Sequence, residues 1–327
     1  MRLIDRWHRQ LNYLRVSITD RCNLRCIYCQ TGPVFHKQNH DDILRYEEIL
    51  RIITAGIALG ITKVRITGGE PLIRRNVFSF LKDVSHLPGL EDVSFTTNGL
   101  LLERHVQDIV AAKIQRINVS LDTLKADKFI AISGADRWQQ VWNGLIAAHT
   151  AGIFPIKLNV VAMKGLNDDE WLAFADLTRH YPFWVRFIEL MPVGHSDLYA
   201  QRWVSSDTIK KTIESKFGKL IPLEKHVHDG PAERFKLNDS KGEIGFIHAI
   251  SHHFCQTCNR LRLTANGCLR ACLLSDQQID LKTLIRQGCS DKDIQQQLIA
   301  AVSLKPISHQ NLDSPIACSE QMVRIGG

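Results

Sequence analysis

The sequence has little that would place it in a membrane, a fibre or a disordered class. Its longest stretch without a formal charge, Trp138 to Ile156, contains Gln139, Gln140, Asn143 and His149, whereas a helical span needs about 20 consecutive apolar residues. That excludes a membrane helix as an expectation. Residues 1–10 mix Arg2, Asp5, Arg6, His8 and Arg9 with no apolar run of the kind a secretory signal carries, so a cytoplasmic address is expected. With 10 Pro and 20 Gly in 327 residues the chain is neither collagen-like nor low-complexity, and 44% hydrophobic against 23% charged residues is a globular balance. The 41 lysines and arginines exceed the 34 acids by too little, and too diffusely, for a nucleic-acid-coating tail. At roughly 150 residues per domain the length suggests about two domains.

Cysteine is what the sequence has in excess. Nine cysteines in a reducing compartment, where disulfides rarely persist, point to metal binding or catalysis. Arginine is concentrated at the start: six arginines, two aspartates and no lysine lie between Met1 and Gln30. Because a guanidinium grips phosphate oxygens with a two-pronged fork, an anionic ligand near the N-terminus is expected.

From residue 13 to about 217, short β-branched runs alternate with amphipathic ones, the pattern of repeated βα units on a parallel sheet. Six strands are expected over Tyr13 to Thr19, Thr62 to Thr67, Asp92 to Thr97, Gln115 to Ser120, Pro155 to Val161 and Phe183 to Leu190. Helices are expected over Glu47 to Leu59, Asn76 to His86, Glu103 to Ala112, Arg137 to Ala151, Asp169 to His180 and Asp207 to Phe217. After about Leu220 the pattern changes to two hairpins, Glu233 to Leu237 with Glu243 to Ile247, and Arg260 to Thr264 with Leu269 to Leu273. Two helical segments follow, Leu281 to Gln287 and Asp291 to Val302, and residues 305–327 read as a tail. The expected division is therefore 1–220 and 221–327.

Two cysteine triplets carry the chemistry. Cys22, Cys26 and Cys29 form a Cys-x3-Cys-x2-Cys run just after the first strand. Three thiolates suit an iron-sulfur cube with one iron open; a zinc site, which wants four closed ligands, would need a distant histidine such as His36. After the second strand comes Thr67-Gly68-Gly69-Glu70-Pro71, where glycines let a backbone approach a ligand and Glu70 offers a carboxylate to an ammonium. Cys255, Cys258 and Cys272 form the second triplet, which a zinc knuckle completed by His252 or His253 would equally explain.

Together these motifs resemble the radical S-adenosylmethionine (SAM) superfamily. The second triplet, the Asn259-Arg260-Leu261-Arg262 run and the terminal Gly326-Gly327 narrow the resemblance to the GTP 3',8-cyclase family of molybdenum-cofactor biosynthesis, the MoaA family. The resemblance implies an α/β fold, a partial (βα)6 TIM-type barrel with a C-terminal domain carrying a second cluster. It implies two [4Fe-4S] clusters, on Cys22, Cys26 and Cys29 and on Cys255, Cys258 and Cys272, with SAM as cofactor. SAM contacts are implied for Tyr28, Gly69, Glu70, Ser120 and Met191, and GTP contacts for Arg15, Arg65, Thr96, Lys157, Arg260, Leu261 and Arg262. Gly326 and Gly327 are implied in catalysis. Lys157 also stands out unaided, as a cation inside an apolar strand.

By the same resemblance the first cluster reduces SAM, the resulting 5'-deoxyadenosyl radical takes the 3' hydrogen of GTP, and the ribose carbon closes onto C8 of guanine. The implied partners are GTP, a one-electron donor protein, a second copy in a homodimer, and cyclic pyranopterin monophosphate synthase as consumer of the product, with neither membrane nor nucleic acid. The run Gln30-Thr31-Gly32-Pro33 departs from the family's usual Met-Pro-Glu after the third cysteine, so no contacts are transferred there. Cys268 is not expected to be a ligand, and Cys289 and Cys318 are expected to be structural or surface thiols. Arg2, Arg6 and Arg9 are expected at the surface. Competing readings are a radical SAM enzyme acting on a peptide or RNA, and a zinc-stabilised binding module.

Overall fold

The computed structural model describes residues 2–30, 37–194, 197–224, 230–309 and 318–326. Its frame is a single twelve-stranded sheet. Strands β1 (Tyr13–Ser17), β2 (Lys63–Thr67), β3 (Asp92–Thr97), β4 (Arg116–Ser120), β5 (Ile156–Ala162) and β6 (Trp184–Glu189) follow one another in order, and all pair in parallel. The helices between them are α1 (Tyr46–Ala58), α2 (Val77–Ser85), α3 (Leu102–Ala111), α4 (Ala126–Ser133), α5 (Trp138–Thr150) and α6 (Trp171–His180). Short α7 (Leu198–Arg202) and α8 (Ser206–Phe217) follow β6. The six expected strands and six expected helices are present within two residues at each end; α4 and α7 were not anticipated.

The later strands extend both edges of this frame. Strand β7 (Ile221–Pro222), β8 (Glu233–Lys236) and β9 (Glu243–Ile247) join at β6, with β9 parallel to it. Strand β10 (Arg260–Leu263) pairs in parallel with β1, and β11 (Cys268–Arg270) and β12 (Ile279–Asp280) follow antiparallel. Helices α9 (Leu281–Arg286) and α10 (Asp291–Ser303) return to α1, where Arg286 Nε meets Glu48 at 3.0 Å and Arg51 Nε meets Asp291 at 2.6 Å. The two hairpins are thus as expected; their attachment to opposite edges of the first six strands is not visible in either hairpin alone.

Alternation along the strands sorts the side chains. Leu14, Val16, Val64, Ile66, Phe95, Ile117, Val119, Leu158, Val160, Val185 and Phe187 are fully buried on the face covered by helices, each worth about 1.5–3 kcal/mol of hydrophobic transfer. The opposite face carries Tyr13, Arg15, Lys63, Arg65, Ser94, Arg116, Asn118, Lys157, Asn159 and Arg186, in register from strand to strand. Four strands lie between β1 and β6, yet Arg15 and Arg186 line one cavity. The sheet therefore curls into a partial barrel whose interior is polar, which is the arrangement of a barrel that holds a ligand.

Candidate active site

The first cysteine loop is built by backbone contacts among strand ends. Ile18 N donates to Thr67 O at 2.9 Å, Gly69 N to Thr19 O at 2.7 Å and Glu70 N to Arg21 O at 2.8 Å. The two loops lie so close that a Cβ on Gly69 would fall 2.2 Å from Arg21 O, so only glycine fits. On its other side the loop is pinned to the unanticipated α4, through Arg25 N to Ser133 O at 2.9 Å and Ile27 N to Ile132 O at 3.0 Å. Glu70 is buried and accepts from Leu72 N (3.0 Å), Thr97 Oγ1 (2.9 Å) and Asn98 N (2.6 Å). Burial outweighs these donors and pushes its carboxyl up to about 7. Three of four lone-pair positions are thus taken within the protein, and the carboxylate first of all holds the β3–α3 turn. That turn reaches the cysteines: Asn98 Nδ2 lies 3.7 Å from Cys22 Sγ.

The three thiols lie near enough to repel one another as thiolates. Burial pushes Cys22 up to about 11; burial with Cys22 and Asp122 pushes Cys29 up to about 12; burial with Cys29, Asp122 and Cys22 also holds Cys26 well above the usual thiol range. Three thiols that resist ionisation together, in one loop, are a donor set that a multiply charged metal centre would satisfy. Tyr28 Oη donates to Asp122 Oδ2 at 2.6 Å. The Tyr28 side chain therefore braces the loop against the end of β4, where Ser120 faces the lumen, half-buried.

The lumen is a nest of cations with few counter-ions. Arg15, Arg65, Arg186, Arg260 and Arg262 line a cavity enclosing about 1140 Å³ of empty space, counting the part that opens to solvent, together with Met191 and the second triplet. Lys63 and Arg116 share Asp92, at 2.9 Å and 2.5 Å. Lys157 sits over the Trp184 ring at 4.1 Å; burial, with Arg186, Arg116, Arg65 and Lys63 nearby, drives its ammonium down to about 5. Burial would raise the Tyr13 hydroxyl, but Arg65, Arg15, Lys63 and Arg260 outweigh it and bring it to about 8. Buried polar atoms of the lining residues are without partners, among them Arg15 Nε, Arg65 Nε, Arg186 Nε and Asn159 Oδ1; Thr96 Oγ1, on the same face of the sheet, is buried without a partner as well. Such a nest answers to a polyanion.

Two expected nucleotide contacts look different in place. Leu261 is fully buried on the helix-covered face, in register with Leu14, so only its backbone can meet a ligand. Arg9, expected at the surface, is 7% exposed and paired with Asp5 at 2.6 Å, because its guanidinium binds three carbonyls from two distant segments of the chain, Cys255 and Pro306-Ile307. Conversely, Arg186, Arg116 and Lys63 belong to the nest and were not singled out. The signal that flagged Lys157, a cation inside an apolar strand, also holds for Arg186 in Val185-Arg186-Phe187.

The second triplet lines the same cavity. Burial would raise Cys258, but Lys305 and Arg260 outweigh it and lower the thiol to about 7; burial, with Cys272 and Cys258, raises Cys255. The donors of Cys255, His253 and His309 lie within 4.8 Å of one another; His252 instead bonds Asp207 at 2.7 Å. Cys268 is buried in β11, away from the cavity lining. Cys289 is half-buried and Cys318 is 1% exposed, the latter tied to the buried Arg270 through Nη2 at 3.2 Å.

The C-terminal residues are not a loose end. Cys318 bridges to Val193, Ser319 N donates to Asp276 Oδ2 at 3.1 Å, and helix α11 (Met322–Ile325) leads to Gly326. Gly326 has φ +81 and its Cβ would lie 2.8 Å from Thr67 Cγ2 and 3.0 Å from Ser17 Cβ, while its carbonyl accepts from Arg262 Nη1 at 2.8 Å. The segment thus threads between the ends of β1 and β2, where a side chain would not fit. His36 and Gly327, and the divergent run from Thr31 to Pro33, lie outside the described residues.

The Radical SAM superfamily model matches residues 16–178 and the Molybdenum Cofactor Synthesis C model residues 183–311. The fold is shared with Streptococcus suis SuiB bound to S-adenosylmethionine (TM-score 0.64, 14% identity, covering 83% of this chain and 63% of that longer one). Barrel and cysteine loops thus define a radical SAM protein. The GTP 3',8-cyclase of Thermodesulfovibrio yellowstonii is 45% identical over 99% of both chains, and that of Heliobacterium modesticaldum 46% identical over 95% of both. The chain belongs to the GTP 3',8-cyclase family.

Proposed function

We propose that this protein is a radical SAM enzyme converting GTP to (8S)-3',8-cyclo-7,8-dihydroguanosine 5'-triphosphate, the first step of molybdenum-cofactor biosynthesis. One observation carries the substrate assignment beyond kinship: a nest of arginines, short of counter-ions, lines the same cavity as a cysteine triplet, and Lys157 lies on the same face of the sheet, lining a smaller adjoining hollow with Arg186. A triphosphate supplies the missing negative charge and leaves the purine to extend along the cavity.

When bound, an iron-sulfur cluster on Cys22, Cys26 and Cys29 with SAM supplies one-electron hydrogen abstraction, and a second cluster on Cys255, Cys258 and Cys272 would hold the guanine end. The chain's own residues orient and enclose. Gly69 and the Glu70-braced turn give the SAM methionine end a close backbone, with Tyr28, Ser120 and Met191 around its adenosine. Arg15, Arg65, Thr96, Lys157, Arg260, the Leu261 backbone and Arg262 hold the nucleotide. Gly326 and Gly327 are assigned to catalysis, with Arg262, which holds the Gly326 carbonyl, linking tail and triphosphate. Residues 1–220 are read as the barrel part and 221–327 as the part carrying the second centre; the two family models divide the chain earlier, between residues 178 and 183. A cytoplasmic homodimer, fed by a one-electron donor protein and passing its product to cyclic pyranopterin monophosphate synthase, completes the reading. No helix among the described residues is long and apolar enough to cross a membrane.

Anaerobic reconstitution followed by incubation with SAM, GTP and a strong reductant tests it. About eight irons per chain, 5'-deoxyadenosine and a cyclised guanosine triphosphate are expected. Formation of 5'-deoxyadenosine without any GTP-derived product would move the substrate to a peptide or RNA, and zinc in place of iron would overturn the assignment.

A further inference from the structure

Residues 305–309, Lys-Pro-Ile-Ser-His, run directly beneath the second triplet. Lys305 Nζ donates to Arg260 O at 2.8 Å and Ala271 O at 2.7 Å, the carbonyls two residues after Cys258 and one before Cys272, and its ammonium is within hydrogen-bonding reach of the Cys258 thiol. His309 is 3% exposed, and its Nδ1 lies 3.3 Å from Cys255 Sγ. The separation is fixed from a third segment. Arg9, held by Asp5, donates to Cys255 O at 2.6 Å, Pro306 O at 2.7 Å and Ile307 O at 3.3 Å. One buried guanidinium thus clamps the ligand's own backbone and the segment that presents the imidazole.

We propose that His309 is a positioning residue of the second cluster, its Nδ1–H donating a hydrogen bond to the Cys255 sulfur while Lys305 sets a positive charge at Cys258, so that together they raise that cluster's reduction potential. The inference rests on the two-cluster reading above. His309 Nε2 is buried and has no partner among the described residues, so a proton on Nδ1 is the one that finds an acceptor. A nitrogen 3.3 Å from one sulfur is at hydrogen-bond distance to it; a ligand to a neighbouring iron of the cube would stand farther off. Hydrogen bonds and positive charge at cluster sulfurs stabilise the more negative reduced state.

The test uses full-length reconstituted protein without GTP, with the first cluster as internal reference. In an EPR-monitored redox titration, His309→Leu is expected to shift the second cluster's reduced-to-oxidised ratio by about tenfold at fixed potential, about 59 mV toward more negative values, with the first cluster unmoved and His309→Gln, which keeps an N–H donor, restoring part of the shift. An unchanged midpoint in His309→Leu overturns the proposal. Should that variant lose the cluster, pulsed EPR on wild-type protein carrying 15N-histidine decides: a weak imidazole coupling to the second cluster supports the hydrogen bond, whereas a strong one (direct ligation) or none overturns it. Four irons in the wild type would mean that the two-cluster reading itself has failed, a result visible before any variant is made.

Discussion

Around Cys22, Cys26 and Cys29 the nearby charged side chains are carboxylates, Glu70 and Asp122, and burial holds all three thiols above the usual cysteine range, whereas Cys258 is drawn down to about 7 by Lys305 and Arg260. Two triplets of different spacing thus meet different charges, carboxylates beside the first and the cations Lys305 and Arg260 at Cys258 of the second, although burial raises Cys255 there as well. A centre gains negative charge when reduced, so the first setting resists reduction and makes the reduced centre a strong donor, while the second favours it. The first is braced by loops at the ends of β1 to β4; the second is assembled from the N-terminal Arg9, the β10–β11 hairpin and the segment after α10. If the two regions are independent, Cys26→Ser and Cys258→Ser will each halve the iron content. The first is expected to abolish 5'-deoxyadenosine formation, the second to keep it while abolishing the GTP product. Loss of both clusters in either variant, by iron and sulfide analysis, would break the comparison.

The next largest effect belongs to the braces. Gly69→Ala would drive a methyl against Arg21 O, and a shift of the loop by enough to admit it is expected to lower SAM cleavage by about 100-fold, a cost of roughly 3 kcal/mol. The second cluster's EPR signal should be unaffected. Removing Gly326 and Gly327 tests the link between the regions instead. Iron content and GTP affinity are expected to stay near those of the full chain while cyclisation is lost, and normal turnover would show that the tail's position between β1 and β2 is incidental.

Legibility in the sequence follows the same division. The barrel half was readable because βα units repeat a strong periodic signal and because Gly69 and the first triplet are local in the chain. The second centre was readable only as cysteines and arginines. Arg9 was placed at the surface because nothing within Met1 to Gln10 shows that its partners are some 250 and 300 residues away. His309 and helix α11 fell within what read as a tail, since a segment that packs by threading rather than by an apolar face has no period to detect. Arg186 carried the same mark as Lys157 and could have been found.

Cations gathered for a ligand should cost the empty fold. Arg15 is half-buried facing Arg262, Arg65 and Arg260, so Arg15→Leu is expected to weaken GTP binding by about 10- to 100-fold, one charge-assisted contact of roughly 1.5–3 kcal/mol. The same change should raise the melting temperature of the nucleotide-free protein by relieving repulsion. A fall in both would mean that Arg15 is chiefly structural. No such trade is expected at the carboxylate-lined first triplet, where removing Asp122 also removes the bond to Tyr28.

The finest test concerns one proton. With the cavity empty the Lys157 ammonium is held down to about 5, so at pH 7 it is mostly neutral. A bound triphosphate favours the charged form and lifts the value back above 7. Binding at pH 7 must then take up close to one proton at Lys157. By linkage GTP affinity strengthens as pH falls from the bound-state value toward about 5, by at most tenfold per unit, and levels off below. Tyr13, at about 8, is largely protonated at pH 7 and contributes little below it, whereas Glu70, at about 7, and the terminal phosphate of GTP also titrate there, so the comparison with Lys157→Met is what assigns the proton to the lysine. Calorimetry of GTP binding in two buffers of different ionisation enthalpy should give a heat difference corresponding to proton uptake, and Lys157→Met should remove it. A wild-type heat independent of buffer would mean that Lys157 stays charged in the empty lumen, and that the cationic side of the molecule is better solvated than its burial implies.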